Sequence, residues 1–342
     1  MKRVILFLML VVCILSAQAG EQRTMIPRYN RITKQTTSYP LYNVHDVQYC
    51  SPDSLLKADS LQLTNDGTTK SDWTLQASHF TLPVDKDTVV VIATVVAPAH
   101  ILTFTAGIGW TLLIHDTSSS NFFGGALVRV GNNASGVLDT IDAIADGIEN
   151  VEQGNMIMIT CMIEEFPTPN LINSTTQLRP VPGYPFQIIG TGTIPPPTKL
   201  NVSDFYTAAY PGGKIQFSHG EPYEGSLVEF TNLRVVSTLN SGRGTWTMQD
   251  NSGNSISDYD ASYYFTRGNA GGGGDPSFVP LVTGQIVDTI RGTILTVSGG
   301  ENPRGYRICP IYSGDIVLGT SLPFISTHRR YPSVVRSTDS AE

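Results

Sequence analysis

Cysteine is scarce in this 342-residue chain: there are four, and Cys13 lies inside an apolar run near the start. Cys50, Cys161 and Cys309 allow at most one internal disulfide and leave a thiol over, so stability must come from a core rather than from cross-links. No C-x-x-C pair is present, which removes the common structural zinc frameworks. Histidine is also sparse. The six, His45, His79, His100, His115, His219 and His328, form no H-x-x-x-H pair, and no G-x-S-x-G occurs. With no nucleophile, base or metal set in view, the chain reads as a non-enzyme that needs no cofactor. Charged residues make up only 15%, yet hydrophobic residues reach 40%, so the composition is that of a folded chain. Basic charge is in deficit, 22 Lys+Arg against 29 Asp+Glu, a net charge of -7, which argues against wrapping duplex DNA.

What is present at the start is a leader pattern. Lys2 and Arg3 precede an apolar run from Val4 to Leu15, and Ala17-Gln18-Ala19 follows as an A-x-A cleavage site. Residues 1–19 are therefore expected to be a signal peptide, and the mature chain to be exported: extracellular, cell-surface or periplasmic. The apolar run is too short to span roughly 30 Å of hydrocarbon, and no later segment reaches the length of a membrane span. Residues 20–39, basic and polar from Arg23 to Lys34, are expected to form a mobile N-terminal segment.

The rest is written twice. Asn43-Val44-His45-Asp46 recurs as Asn201-Val202-Ser203-Asp204, and Ser78-His79 as Ser218-His219. Trp110-Thr111, ending in Asp116, recurs as Trp246-Thr247, ending in Asp250. Val151-Glu152-Gln153-Gly154 answers to Leu281-Val282-Thr283-Gly284, and Leu178-Arg179-Pro180 through Gly190 to Ile308-Cys309-Pro310 through Gly319. Five matches in one order indicate an internal repeat. Pro195-Pro196-Pro197 is a stiff extended linker between the copies. The expected domains are residues 40–194 and 195–322, with a tail over 323–342.

Periodicity predicts five strands per half. In the first they are Thr88–Val96, Trp110–Asp116, Gly125–Val130, Asn155–Glu164 and Gln177–Ile189. In the second they are Ser226–Ser237, Thr245–Asp250, Ser255–Tyr259, Gln285–Val297 and Tyr306–Leu318. Helical spacing from Val137 to Ile148 places a helix between strands 3 and 4 of the first half; the second has the tract Gly271–Gly274 there. The prediction is a mainly β chain of two tandem five-stranded OB-like Greek-key barrels. Gly292, alone inside a long strand, marks a bend.

Trp246 to Asp250 with Ser252-Gly253, then Val282-Thr283-Gly284 before a glycine-containing strand, resembles OB-fold-like modules of secreted bacterial proteins. Some of these accompany extracellular nucleases, and others occur in tandem in surface proteins. The resemblance covers roughly Tyr42 to Gly319 and implies an accessory binding or scaffolding role.

An OB-fold presents its ligand face on strands 2 and 3 and the adjoining loops. In the second half that rule nominates Arg243, Trp246, Tyr259, Arg304 and Arg307, since arginine with aromatic rings can stack a base or a sugar. The alternative is that Trp246 fills the barrel, because one register step reverses a strand residue's side. Residues 40–194 carry 5 basic and 15 acidic side chains, whereas 195–322 carry 8 and 11, so a polyanion would be repelled by the first half. The expected partners are an oligosaccharide, a single-stranded nucleic acid or a surface protein. A structural scaffold of the cell surface and an accessory pair in an extracellular hydrolase system are the competing functions. Asp250-Asn251-Ser252-Gly253-Asn254 echoes a calcium loop, but glycine falls early and Ala261 stands where a bidentate Glu belongs, so a polar hairpin turn is expected. His115-Asp116 ends a strand, and Asp116 is expected to tie down the following turn.

Overall fold

The structure, a computed structural model, describes residues 23–61, 73–78, 80, 88–102, 110–118, 120–130, 139–167, 174–207, 214–240, 245–265, 275, 277–296 and 305–319. It starts with a hairpin of β1 (Met25–Asn30) and β2 (Gln35–Tyr42), followed by α1 (Val44–Gln48) and α2 (Pro52–Leu61). The expectation of a mobile segment over 20–39 is thus corrected from Arg23 onward. β2 pairs in parallel with the first barrel, Leu41 opposite Val90. Arg28 donates to the Thr160 hydroxyl at 2.9 Å, Gln187 at 2.6 Å and the Pro185 carbonyl at 2.7 Å, and Arg31 meets Asp146 at 2.5 Å. Charges that look solvated in the sequence are clamps in the fold.

The first barrel is β3 (Thr88–Leu102), β4 (Trp110–His115), β5 (Gly125–Val130), then α3 (Asp139–Ala145), β6 (Asn155–Pro167) and β7 (Ser174–Pro180). Antiparallel β3–β4–β5, parallel β5–β7, and antiparallel β7–β6 and β6–β3 close the ring. The helix sits between the third and fourth strands, as predicted. The expected fifth strand divides in two: β7 ends at Pro180, the chain passes Pro182 and Pro185, which lack an N–H to donate, and it resumes as β8 (Gln187–Thr191) farther along the same edge of β6.

After Pro195–Pro197 comes β9 (Thr198–Lys199), then α4 (Phe217–Gly220), and the second barrel repeats the order. Its strands are β10 (Leu227–Asn240), β11 (Thr245–Gln249), β12 (Ser255–Asp258), β13 (Ile286–Thr296) and β14 (Tyr306–Cys309). β10–β11–β12 are antiparallel, β12–β14 parallel, and β14–β13–β10 antiparallel. Even the extra strands match. β9 joins β10 in parallel as β2 joins β3, and β15 (Ile316–Leu318) lies on β13 as β8 lies on β6. Both halves are closed five-stranded mixed barrels of OB type. In β13, a side chain at Gly292 would fall 2.3 Å from the Cys309 carbonyl oxygen, so only glycine lets the strands approach there.

Each barrel has its own interior. Val91, Leu112, Ile114, Val128, Ile159 and Leu178 fill the first; Phe230, Trp246, Met248, Ile256, Ile290 and Ile308 fill the second. The neighbours of these inward residues point outward by the two-residue strand period, and several are apolar as well. Val96, Leu113 and Leu127 of the first barrel meet Leu295, Cys309 and Ile311 of the second in a third buried cluster. The outer faces of β4 and β5 are therefore spent on docking the second barrel. Each fully buried leucine contributes about 1.5–3 kcal/mol, which makes this seam a core rather than a loose domain contact.

Candidate ligand-binding site

Of the five nominated residues, Arg243 and Arg304 lie outside the described residues. Trp246 is 0% exposed, its ring 6.1 Å from that of Phe278 in the second barrel's interior, and so belongs to the core. Its strand alternation puts Thr245 and Thr247 on the outer side instead. Arg307 and Tyr259 do come together, the guanidinium 5.2 Å from the ring centroid, but Arg307 is 2% exposed. That pair belongs to the interior of the fold, not to an open face. The Asp250–Asn254 segment is a hairpin turn in which Asp250 accepts from the backbone N–H groups of Ser252 at 2.8 Å and Asn254 at 2.9 Å. Asp116 ties its own turn by accepting from the Ser118 N–H at 2.8 Å, as the sequence suggested.

A different group of rings is open. α1 is capped by Asn43, whose side chain accepts from the Asp46 N–H at 2.7 Å, and places His45 and Tyr49 four residues apart on one side. Their rings stack at 5.7 Å with an interplanar angle of 28°. The loop before β5 brings Phe122 and Phe123, and the short 3-10 turn Glu221–Tyr223 of the second half brings Tyr223. Phe123 is the hub, with ring centroids of His45 at 5.9 Å, Tyr49 at 5.4 Å and Phe122 at 5.0 Å, while Tyr223 stands 6.0 Å from Phe122. Phe123 is 3% exposed, but Phe122 is 50% and Tyr49 38% exposed, with His45 and Tyr223 half-buried. The hub is held under strain. Its φ is 53, a left-handed value that costs a bulky residue about 1–2 kcal/mol, and its N–H donates to the Pro222 carbonyl at 2.6 Å. Backbone from one half thus fixes a ring from the other.

Three carboxylates border these rings. Asp46 lies 3.9 Å from His45 Nδ1, and Asp116 accepts from the His45 N–H at 3.2 Å. Burial, and then the charge of Asp204, pushes the Tyr223 phenol up from its ordinary value. The nearby cation Arg23 is engaged with Asp46 at 3.1 Å and lies 4.0 Å over the Tyr42 ring.

Beneath the platform is a buried acidic group at the junction. Glu221 accepts from the Tyr306 hydroxyl at 3.0 Å, Glu224 from the Thr176 N–H at 2.8 Å, and Glu165 from the Thr176 hydroxyl at 2.7 Å. Burial first, and then repulsion from Glu165 on Glu221 and from Glu221 and Glu165 on Glu224, hold both carboxyls well above the usual carboxylate range. Of these hydrogen bonds, the one from the Thr176 N–H to Glu224 crosses from one barrel to the other. Among the described residues, no group of His, Cys, Asp or Glu is arranged to hold a metal, and no helix is long and apolar enough to cross a membrane.

No protein-family model and no curated protein matches the chain. Among solved structures, the chain is similar to a murine DNA-binding protein bound with double-stranded DNA, at 11% identity and a TM-score of 0.30, over 68% of this chain and 97% of that one. A second, from work on the molecular basis for abrogation of activation of pro-inflammatory cytokines, has 10% identity and a TM-score of 0.29, over 70% and 98%. Likeness this slight carries no argument about what the chain binds.

The sequence nominated none of the platform rings. The one available signal was the Phe122-Phe123 pair in a polar loop, an apolar cost with no strand or helix period to account for it.

Proposed function

We propose that the chain is an exported, non-enzymatic binding module that takes an extracellular polymer on the ring platform at its barrel junction. The carrying observation is Phe123, held at a strained φ of 53 by the opposite half and supporting the exposed rings of Phe122 and Tyr49. Exposed rings fixed on a rigid scaffold bind with little loss of conformational entropy. The test is an array of glycans, single-stranded DNA and RNA probed with the wild type, Phe122→Ala and Tyr49→Ala. Each ring removed should weaken binding by about 1–3 kcal/mol. Binding that survives both substitutions removes the platform.

A scaffold reading has its own support. β8 and β15 occupy equivalent sheet edges in the two halves and expose Ile188, Ile189, Val317 and Leu318. Exposed apolar edge strands are templates for another protein's strand. If the array stays blank while cross-linking captures one defined surface protein through these edges, scaffolding is the function.

A further inference from the structure

We propose that the polymer taken by the platform is a glycan of neutral sugars, held by stacking of its C–H faces on Phe122 and Tyr49 with hydroxyl groups on the bordering side chains. This rests on the platform reading above and names its ligand class.

Geometry and charge both select for it. A ring face carries the negative end of a quadrupole, and a sugar presents a row of weakly positive C–H groups on one side. The exposed rings of Tyr49 and Phe122 meet the buried Phe123 at 63° and 78°, Tyr223 meets Phe122 at 87°, and His45 stacks on Tyr49 at 28°. Tyr49 and Phe122 thus meet the hub separately, each an exposed ring on which the C–H face of one sugar can stack. A nucleic acid also brings a phosphate per nucleotide, and proteins that stack single strands line the groove with cations. Here the border is Asp46, Asp116 and Asp204, and Arg23 already serves Asp46 at 3.1 Å. The half that supplies most of the rings carries 5 basic and 15 acidic side chains over residues 40–194. A polyanion approaching this surface meets repulsion. Sugar hydroxyls meet what they can use: the half-exposed Asp46 accepts hydrogen bonds from them, and the half-exposed His45 ring offers further polar contacts.

The test uses the chain lacking residues 1–19, with mixed-linkage β-glucan, xylan and mannan as neutral probes. Dextran sulfate and a single-stranded oligothymidylate serve as anionic probes, each at about 0.05 and about 0.5 M salt. The expected result is binding to a neutral glycan that is flat in salt and falls about tenfold in Phe122→Ala and in Tyr49→Ala, the scale of one lost stacking contact. Should an anionic probe bind more tightly, weaken steeply with salt and be lost in Phe122→Ala, the neutral-glycan inference is overturned while the platform stands. Should no probe bind, or should binding ignore both substitutions, the inference and the platform fall together. Circular dichroism of each variant, unchanged from wild type, keeps a folding defect from passing as lost binding.

Discussion

Gly125 of β5 and Gly225 before β10 lie backbone against backbone across the junction: a methyl group on Gly125 would fall 2.0 Å from the Gly225 carbonyl oxygen. Gly225 has a φ of 72, so a side chain there would be strained as well as crowded. Around them, the Ser226 hydroxyl donates to the Asn121 carbonyl at 2.7 Å and Gln48 to the Gly125 carbonyl at 2.6 Å. The halves are welded, not tethered.

Gly125→Ala should therefore lower stability by about 1–3 kcal/mol or more, since overpacking is worst where the obstacle is backbone. Gly314→Ala, which meets nothing within 4 Å, is the control. Calorimetry of the wild type should give one transition for both barrels, and Gly125→Ala an earlier or divided one. Two well-separated wild-type transitions would mean that the seam of Leu113, Leu127 and Leu295 does not couple the barrels.

The junction acids give stability a pH dependence with a definite sign. Burial raises the Glu221 and Glu224 carboxyls in the folded chain, whereas unfolded carboxyls titrate near pH 4.3. Their contribution is whole below that value and lost as pH rises toward the folded pKa, at up to about 1.4 kcal/mol per pH unit per group. Buried His115 acts in the opposite sense. Burial lowers its pKa, so its contribution is present above about pH 6.5 and lost as pH falls. As pH rises above the unfolded carboxyl value, melting temperature should lose more in the wild type than in Glu224→Gln, which keeps the bond from the Thr176 N–H without a titrating group. Equal slopes would show that Glu224 is ionised in the folded chain.

The cysteines should be silent. Cys50, Cys161 and Cys309 are all free and buried, and the Cys50 Sγ–H donates to the Gln76 carbonyl at 2.7 Å. Burial drives all three thiols up, away from the reactive thiolate. In the chain lacking residues 1–19, a thiol reagent should find no reactive group before unfolding and three after it. A fast stoichiometric reaction in the native state would contradict the burial of these residues.

Strand order was legible because it rests on local pattern. The alternation around Phe230, Leu233 and Val235 survives in the fold, and a helix does stand before β6, but it covers Asp139–Ala145 and leaves Ile141 and Ile144 of the expected apolar face exposed. The platform was not, because Tyr49, Phe122 and Tyr223 share no period and meet only when the barrels dock. Nor do Glu221 and Glu224 announce themselves: they sit among glycines and a proline with no period, yet the fold buries both. Each fifth strand, expected whole, is instead two strands parted at prolines that the sequence displays, Pro180 to Pro185 and Pro310.

Trp246 separates a structural role from a binding role most directly. Its ring lies among Met248, Ile256 and Phe278, and its Nε1 finds no hydrogen-bond partner among the described residues. Trp246→Ala should cost about 3–5 kcal/mol through the cavity it leaves. Trp246→Phe should cost less, since it keeps most of the apolar volume and removes a buried N–H that lacks a partner. Wherever these variants remain folded, affinity for a platform ligand should equal that of the wild type. The check pairs denaturant midpoints with binding at low denaturant. A Trp246→Ala protein of undiminished stability that no longer binds would move the site back to the face of β11 and β12.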